Sequence, residues 1–189
     1  FSGSKQHLMD EIFTSAKRPF YRSTEKMTLQ PIPPAEYFLF TRSWMEQGGK
    51  QLEENLFQQI YQRFGGHTWY MQYILNRLYE QPQSIIDEKL IEVCIADIVH
   101  SEIDSYQQLY GMLTENQSTL LRAIAREKVV AAINSAAFIK KYGLKGTSSI
   151  NTALKTLINK EYVFKSDKGY CIYDRFMELW LQTLPYANQ

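Results

Sequence analysis

The sequence contains little of the chemistry that metal sites and covalent catalysis use, with two cysteines and three histidines among 189 residues. Cys94 and Cys171 lie far apart in apolar surroundings and form no Cys-x-x-Cys pair, which indicates buried, reduced thiols. The histidines, His7, His67 and His100, are equally scattered. The sequence therefore supports neither a zinc site nor a Cys-His nucleophile, and we expect no bound metal.

Long hydrophobic runs are also missing. No stretch approaches the roughly 18 consecutive apolar residues that a membrane-spanning helix requires. The first residues lack the basic and then apolar layout of a signal peptide. We therefore expect a cytoplasmic protein without a membrane partner. Its composition, 44% hydrophobic and 14% aromatic, is enough for a sizeable core.

The charges are distributed unevenly, although the net charge is only +1. Residues 1–113 contain 10 basic and 14 acidic residues, whereas residues 114–189 contain 11 basic and 6 acidic residues. An acidic first part and a basic second part indicate two units with different partners.

Within residues 1–33, HLMDEIFTS is predicted to form a short helix or turn, and an extended connector is predicted after it, because Pro31, Pro33 and Pro34 follow one another closely at its end. Proline fixes its own φ angle and disfavours a helical conformation in the residue before it. From Pro34 onward apolar residues recur with helical spacing, and strand-like alternation is scarce. The sequence therefore predicts a bundle of about four helices over residues 34–112.

The predicted bundle helices have identifiable ends. Gly48-Gly49 and Gly65-Gly66 are expected to stop the first two helices, and Asp87 is expected to cap the fourth. A break is expected in the fourth helix at residues 101–104. The apolar faces predicted for the first three helices comprise Tyr37, Phe38, Phe40, Thr41 and Trp44, then Leu52, Leu56, Ile60, Tyr61 and Phe64, then Trp69, Tyr73, Leu75, Leu78 and Tyr79.

The second part of the chain begins with three predicted helices. Thr114 and Gln117 form a capping box that begins the first. Ser135 is the expected cap of the second, which Gly143 is expected to stop. The third begins at a Thr/Ser cap in GTSSINTALKTLINK. Its apolar side consists of Ile150, Leu154, Leu157 and Ile158.

A hairpin and a closing helix complete the second part. Two alternating runs flank Ser166-Asp167-Lys168-Gly169, which predicts a β-hairpin with glycine at the position that tolerates positive φ. RFMELWLQTL is the predicted closing helix. Helix, helix, tight turn, helix and hairpin is the order of a winged helix-turn-helix domain. The predicted fold is therefore mainly α, with a helical bundle followed by a winged-helix domain over residues 113–189.

In such a domain the third helix is the element that could enter a major groove. Its hydroxyl and amide groups can bond base edges or phosphates, and lysines can neutralise phosphates. This helix has no arginine and no aromatic residue, so a solvated face or a protein-docking face is an open alternative. The candidate DNA-binding residues are Lys145, Ser148, Ser149, Asn151, Thr152, Lys155 and Lys168, with Lys165 also on the hairpin.

Four segments carry a resemblance to a known family: FSGS at 1–4, RPFYRST at 18–24, RFGGHTWY at 63–70, and FIKKYGLKGTSSINTALKTLINKEYVFK with YCIYDRF after it. They resemble the archaeal-type ATPases, which are bacterial and archaeal P-loop ATPases of the AAA+/STAND type. In that family a strand ends in a Gly/Ser segment near the γ-phosphate, called sensor 1, and a helical lid and a winged-helix domain follow. The resemblance implies that FSGS ends that strand and that the bundle is the lid.

The resemblance also implies nucleotide-sensing residues, which are Ser2, Ser4, Arg22, Gly66 and Thr68. The two serines would lie at the sensor-1 end, where a hydroxyl can bond phosphate or an attacking water. Arg22 follows a Pro-aromatic-Tyr sequence and could approach phosphate, with an exposed salt bridge as the alternative. Gly66 and Thr68 resemble the Gly-x-Pro signature near the adenine side of the lid, although Thr68 replaces the proline. An ordinary turn and a plain helix stop are the alternatives for the serines and the glycine.

The catalytic parts of such an ATPase are absent from the sequence. There is no Gly-x-x-x-x-Gly-Lys-Ser/Thr loop to hold phosphates, and no apolar strand ends in Asp-Glu to hold Mg²⁺. This chain alone is not expected to hydrolyse ATP or to bind it tightly. The resemblance implies an upstream P-loop domain of the same protein as partner, with ATP or ADP and Mg²⁺ as its cofactors.

Two hypotheses follow. In the first, the chain is the nucleotide-responsive lid and winged-helix region of an ATPase, and FSGS is an interior junction. In the second, it is a DNA-binding winged-helix module whose helical bundle serves dimerisation or ligand sensing.

Overall fold

The computed structural model describes residues 29–185, together with Phe13, Ser23 and Met27. Within this part the chain forms nine helices and two small sheets, which confirms the predicted mainly helical fold. The helices are α1 (Pro34–Gln47), α2 (Glu54–Arg63), α3 (Thr68–Tyr79), α4 (Glu88–Ser101), α5 (Ile103–Gly111), α6 (Glu115–Glu127), α7 (Ala136–Lys141), α8 (Thr147–Asn159) and α9 (Arg175–Thr183). The strands are β1 (Gln51–Leu52), β2 (Ile85–Ile86), β3 (Val163–Ser166) and β4 (Gly169–Ile172). The predicted connector, residues 1–33, lies almost entirely outside the described residues.

The predicted helix ends in the bundle are confirmed. The Asp87 carboxylate caps α4 by accepting a hydrogen bond from the Leu90 N–H at 2.7 Å. Glu102 separates α4 from α5, inside the predicted break. Gly48 and Gly49 end α1, and Gly49 has a φ of +70°. Short-range capping rules were sufficient to find these positions.

The bundle also contains a parallel strand pairing that the sequence did not predict. β1 and β2 lie side by side, with the buried Leu52 beside the buried Ile86. The Lys50 ammonium, next to β1, donates to the backbone carbonyls of Gln81 and, at 3.1 Å, Gln83. Two-residue strands have too few alternating positions to give a sequence signal, and their partners are distant in the chain.

The predicted apolar face of α1 is wrong at Phe40. Phe38 and Met45 are buried, whereas the Phe40 side chain is 70% exposed. At about 100° per residue, Phe40 lies on the opposite side of the helix from Phe38. Trp69 differs in the same way, because it occupies the first turn of α3 and is 56% exposed while Tyr70 is buried.

The second part of the chain has the predicted winged-helix order. The capping box of Thr114 and Gln117 is present at α6, and Ser135 caps α7 by accepting from the Phe138 N–H. β3 and β4 pair antiparallel, and their turn joins Ser166 to Gly169 as predicted.

A third strand position, Val130, completes the small sheet. The Val130 N–H donates to the Tyr170 carbonyl at 2.9 Å, and the Tyr170 N–H donates back at 3.0 Å. The sequence around Val130 shows only an irregular stretch, since a single bridging residue leaves no pattern. The hairpin is thereby attached to the segment between α6 and α7.

The closing helix α9 joins the two parts of the molecule. It packs against α6 of the winged helix and against α4 of the bundle. Phe64 from the bundle, Leu121 from α6 and Phe176 from α9 belong to one continuous core of buried residues. The described residues thus share a single hydrophobic core rather than two separate ones.

Candidate nucleic-acid interface

The predicted recognition helix α8 has one buried and one exposed face. The buried residues Ile150, Ala153, Leu154 and Leu157 belong to the core, and α8 packs on α6 and β3. The opposite face is polar and exposed, and Ser149 is half-buried at its edge. This face consists of Thr147, Ser148, Asn151, Thr152 and Lys155. The polar side chains predicted on α8 therefore lie together on one accessible surface.

A groove runs along the start of this helix, between the first turns of α6 and α8. It brings together four of the candidate residues, Lys145, Ser148, Ser149 and Thr152. The other lining residues are Thr114, Asn116, Gln117, Gly146, Thr147 and Ala153. Asn151 and Lys155 lie further along the exposed face of α8, and Lys168 lies on the hairpin turn. The candidates thus form a surface that extends from the groove to the wing.

Gly146 shapes the entrance to α8. It is the N-cap residue with a φ of +110°, so the predicted Thr/Ser cap of this helix is wrong, and a Cβ atom added at Gly146 would meet no atom within 4 Å. Glycine is therefore required for its backbone conformation, because residues with a side chain rarely adopt that φ angle. The turn is left open, and the first polar residues of α8 remain accessible beside it.

The lysines of this surface differ in their electrostatic surroundings. The Lys145 ammonium lies 3.3 Å from Glu115 Oε2, and both side chains are largely exposed. Within residues 29–185, Lys155 and Lys168 form no ion pair, and the Lys165 ammonium lies 5.8 Å from the centre of the Tyr170 ring. Lys145 is thus the candidate cation whose charge is already partly neutralised.

Hydrogen bonds hold two of the polar side chains of α8. The Thr152 hydroxyl donates to the Ser148 carbonyl at 3.0 Å, one helical turn earlier. The Asn151 Oδ1 accepts from Asn134 Nδ2 at 3.0 Å. Asn134 lies just before α7 and was not among the predicted residues, since nothing local in the sequence indicates a contact with residue 151.

The wing is fixed against Val130 by close backbone packing. Gly169 has a φ of +143°, and a Cβ atom added there would lie 2.5 Å from the Val130 carbonyl oxygen. The Ser166 hydroxyl donates to the Gly169 carbonyl at 2.9 Å and closes the turn. Lys168 is therefore carried on a turn whose position is set by its neighbours.

The predicted nucleotide-sensing residues fall into two groups. Ser2, Ser4 and Arg22 lie outside the described residues. Gly66 lies in the turn after α2, and Thr68 is the half-buried first residue of α3.

The turn after α2 has a Schellman-type hydrogen-bond pattern. The Gly66 N–H donates to the Tyr61 carbonyl at 2.9 Å, and the Gly65 N–H donates to the Gln62 carbonyl at 3.3 Å. Both glycines have φ angles above +60°, and a Cβ atom on Gly66 would collide with the Tyr61 ring. The two glycines therefore serve to end α2. α3 begins at Thr68 without a side-chain cap, and within the described residues the Thr68 side chain makes no hydrogen bond.

The same turn lies against the start of α9. The Phe176 ring centre lies 5.5 Å from that of Phe64 and 5.2 Å from that of Tyr70. The Arg175 N–H donates to the Tyr70 hydroxyl at 3.1 Å. Burial raises the pKa of Tyr70 to about 12, so its phenol stays protonated and neutral. The residues that flank the glycine turn thus touch the winged-helix domain directly.

A second link lies beside the first. The Tyr106 hydroxyl of α5 donates to the Asp174 carboxylate at 3.3 Å, and Tyr106 packs against Trp180 of α9. Burial raises the pKa of Tyr106, which keeps the hydroxyl a donor. Asp174 also caps α9 by accepting from the Phe176 and Met177 N–H groups. α9 is therefore tied to the bundle by polar and aromatic contacts at once.

The described part of the chain contains no cluster of three or more His, Cys, Asp or Glu side chains that could hold a metal ion. None of its helices is both long enough and apolar enough to cross a membrane.

Comparison with known proteins agrees with the second half of this architecture. Residues 104–183 match a family model described as "Probable winged helix domain". The match begins inside α5 and ends at the last residue of α9. No curated protein matches the chain. The element order and this match together show that the chain contains a winged-helix domain, and the predicted domain boundaries remain a prediction.

Proposed function

We propose that this chain is the lid and winged-helix region of an ATP-binding P-loop ATPase and that it transmits the state of the nucleotide to the winged helix. The proposal rests on the resemblance described above and on one structural observation. Phe64 and Tyr70, which flank the turn that resembles the family's adenine-side signature, are in contact with α9 of the winged-helix domain. A displacement of that turn would therefore be passed to α9 through Phe176 and Tyr70.

The turn after α2 does not itself offer free N–H groups for a triphosphate in this proposal. The N–H groups of Gly65, Gly66 and His67 are already donated to carbonyls of residues 61–64. Contact with a nucleotide on an upstream domain would instead come through the Thr68 side chain and the uncapped start of α3. The upstream P-loop and its Mg²⁺ would supply phosphoryl-transfer chemistry, and this chain would respond to it.

The coding sequence before Phe1 gives the first test of this proposal. A Gly-x-x-x-x-Gly-Lys-Ser/Thr loop followed by an apolar strand ending in Asp-Glu, within about 200 residues, is the expected finding. An initiator methionine immediately before Phe1 would contradict the proposal.

Hydrogen exchange on the longer protein tests the transmission itself. Residues 63–70 and 174–183 are expected to exchange at different rates with ATP and with ADP bound. Tyr70→Phe removes the acceptor for the Arg175 N–H and should weaken the change in α9 while leaving the change in the turn. Tyr73→Phe is the matched control, because it removes a hydroxyl from the same helix that does not bond to α9. Equal effects of the two variants would argue against this route.

The second candidate function is contact with duplex DNA through α8. The observation that favours it is the exposed polar face of α8, which is continuous with a groove and includes Lys155, a cation with no ion pair among residues 29–185. Hydroxyls and amides of such a face can bond base edges and phosphates, and the lysines can displace counterions. In an ATPase, the winged helix would be the DNA-binding element whose position changes with the bound nucleotide. Without an ATPase domain, it would be an independent DNA-binding module.

Binding of the whole chain to duplex DNA across a salt series tests this candidate. Affinity is expected to fall with salt, and Glu115→Gln is expected to raise it up to about fivefold by releasing Lys145, since an exposed ion pair contributes up to ~1 kcal/mol. Glu36→Gln in α1 makes the same charge change far along the chain and is the control. Absence of salt-sensitive binding at micromolar protein would rule the DNA contact out.

A further inference from the structure

Tyr61 of α2 joins two segments that lie far apart in the chain. We infer that it couples the segment before α1 to the glycine turn after α2, so that a displacement of the incoming chain reaches α9. Tyr61 is thus a positioning residue that gives the winged helix an input through the chain itself. The source of the displacement is the upstream domain of the proposed function, on which this part of the inference rests. The coupling itself involves only residues of this chain.

The first contact of Tyr61 holds the chain before α1. The Tyr61 hydroxyl donates to the Ile32 carbonyl at 2.8 Å. A carbonyl oxygen can only accept, so the phenol is the donor and the direction of the bond is fixed. Ile32 lies two residues before α1, at the point where the chain enters the bundle. The bond therefore restrains the backbone of the incoming chain rather than a side chain.

The segment held by this bond is stiff. Pro31 and Pro33 flank Ile32, and Pro34 begins α1. Proline fixes its own φ angle and restricts the residue before it to extended conformations, so proline-rich segments act as semi-rigid spacers. Pro33 is also tied into α1, because its carbonyl accepts from the Tyr37 N–H at 3.0 Å. A displacement applied before Pro31 would therefore move the Ile32 carbonyl instead of being absorbed by bond rotation.

The second contact of Tyr61 reaches the glycine turn. The Tyr61 carbonyl accepts from the Gly66 N–H at 2.9 Å, and the Tyr61 ring occupies the place that a Cβ atom on Gly66 would take. The ring centre also lies 6.2 Å from that of Phe57, which is fully buried. The hydroxyl that holds Ile32 therefore belongs to a ring that is packed against the turn.

The residues beside the turn continue these contacts to the winged helix. The Phe176 ring centre of α9 lies 5.5 Å from that of Phe64 and 5.2 Å from that of Tyr70. A continuous set of direct contacts thus leads from the chain before α1 to α9. Contiguous contacts carry coupling when their ends open and close together, which hydrogen exchange detects.

Hydrogen exchange on the chain of 189 residues tests the coupling without a nucleotide. Tyr61→Phe removes the hydroxyl and keeps the ring. The N–H groups of residues 65–67 are expected to exchange about two- to tenfold faster in Tyr61→Phe, the range that one lost hydrogen bond produces. If the hydroxyl only holds the incoming chain, residues 65–67 will exchange as in wild type, and that result overturns the inference.

Tyr79→Phe is the matched control. The Tyr79 ring also packs on a helix-ending glycine, since a Cβ atom added to Gly48 would collide with it. Within the described residues the Tyr79 hydroxyl makes no hydrogen bond. Tyr79→Phe is therefore expected to leave exchange at residues 48–50 and 65–67 unchanged. Equal acceleration beside the two glycines would mean that the bond to Ile32 is not the cause, and it would also overturn the inference.

The same variants in the longer protein show whether the displacement comes from an upstream domain. Residues 174–183 of wild type are expected to exchange differently with ATP and with ADP bound. Tyr61→Phe is expected to lose most of that difference, whereas Tyr79→Phe should keep it. No difference in wild type would refute the proposed function and leave the coupling measured in the chain alone intact. A full difference in Tyr61→Phe would show that the movement reaches α9 without Tyr61, and the inference would fail.

Discussion

Gly169 determines how closely the wing approaches the segment between α6 and α7. Its φ of +143° and the 2.5 Å separation between an added Cβ atom and the Val130 carbonyl oxygen act together. Such strain alone costs of order 1–3 kcal/mol, and the collision would add to it. The hydrogen bonds between Val130 and Tyr170 depend on this approach.

Replacing Gly169 with alanine is therefore expected to lower the free energy of unfolding by more than about 2 kcal/mol. Gly49→Ala is the control, because Gly49 also has a positive φ but an added Cβ atom there meets nothing within 4 Å. Chemical denaturation measures both. If both variants lose the same stability, the contact with Val130 has no energetic role.

Glu178 gives the molecule a pH-dependent contribution to stability. Its carboxylate is 6% exposed and bonds to the Arg175 guanidinium at 2.8 Å. Burial raises the pKa of Glu178 above its ordinary value of 4.5, and Arg175 opposes this only in part. The folded state therefore binds the proton more readily than the unfolded state.

Wild type should consequently gain stability relative to Glu178→Gln as the pH falls through the raised pKa of Glu178. This gain in stability over Glu178→Gln is complete below the pKa that Glu178 has in the unfolded chain, and it is absent at neutral pH. Denaturation at about pH 7 and about pH 4 measures it, with the exposed Glu46→Gln as the reference. A difference between the two proteins that is independent of pH would contradict the assignment.

At the scale of elements, the start of α9 is the point where most interactions converge. Asp174 accepts from the Phe176 N–H at 2.8 Å and the Met177 N–H at 3.2 Å, and also from the Tyr106 hydroxyl. Asp87, by comparison, accepts from one N–H at the start of α4. Asp87 thus only caps its own helix, whereas Asp174 caps α9 and also bonds to a residue of α5.

Asp174→Ala is expected to lower the free energy of unfolding by about 2 kcal/mol or more, and Asp87→Ala is expected to lower it by about 1 kcal/mol. Thermal or chemical unfolding of the two variants checks the difference. Tyr106→Phe separates the long-range part, and in its background Asp174→Ala should cost only as much as an ordinary cap. Full additivity of the two changes would show that the hydroxyl does not bond to Asp174 in solution.

What could be predicted from the sequence was local in the chain. The caps at Asp87, Thr114 and Ser135 and the hairpin turn involve residues two to four apart, so their signals survive in a single sequence. The exposed face of α8 follows from its 3.6-residue period. The β1 and β2 pairing, the Val130 bridge and the contact of Asn134 with Asn151 join positions more than 15 residues apart. No local sequence pattern indicates which distant residue such a position will contact.

At the scale of the whole molecule, the buried residues form one core that passes through α9. Phe176 lies within ring contact of Phe64 and Tyr70, and Trp180 lies within ring contact of Tyr106 and Tyr110. Such a core predicts one cooperative unfolding transition for the bundle and the winged helix together.

Phe176→Ala is expected to lower the free energy of unfolding by about 3–5 kcal/mol. It is also expected to divide unfolding into two transitions, one for the bundle and one for the winged helix. Phe138→Ala is the matched control, since Phe138 is buried in α7 and packs against Tyr142. It should destabilise the protein while leaving a single transition. Calorimetry of the two variants distinguishes them, and a single transition in both would show that α9 does not couple the units.

The return of α9 to the bundle restricts how this winged helix can be recombined with other proteins. A chimera cut at residue 112 would carry Phe176 and Trp180 onto a foreign helical surface. Their rings would then remain in water unless that surface supplied aromatic neighbours comparable to Phe64, Tyr70 and Tyr106. The winged helix is therefore expected to keep its stability in a chimera only when it is transferred together with the bundle.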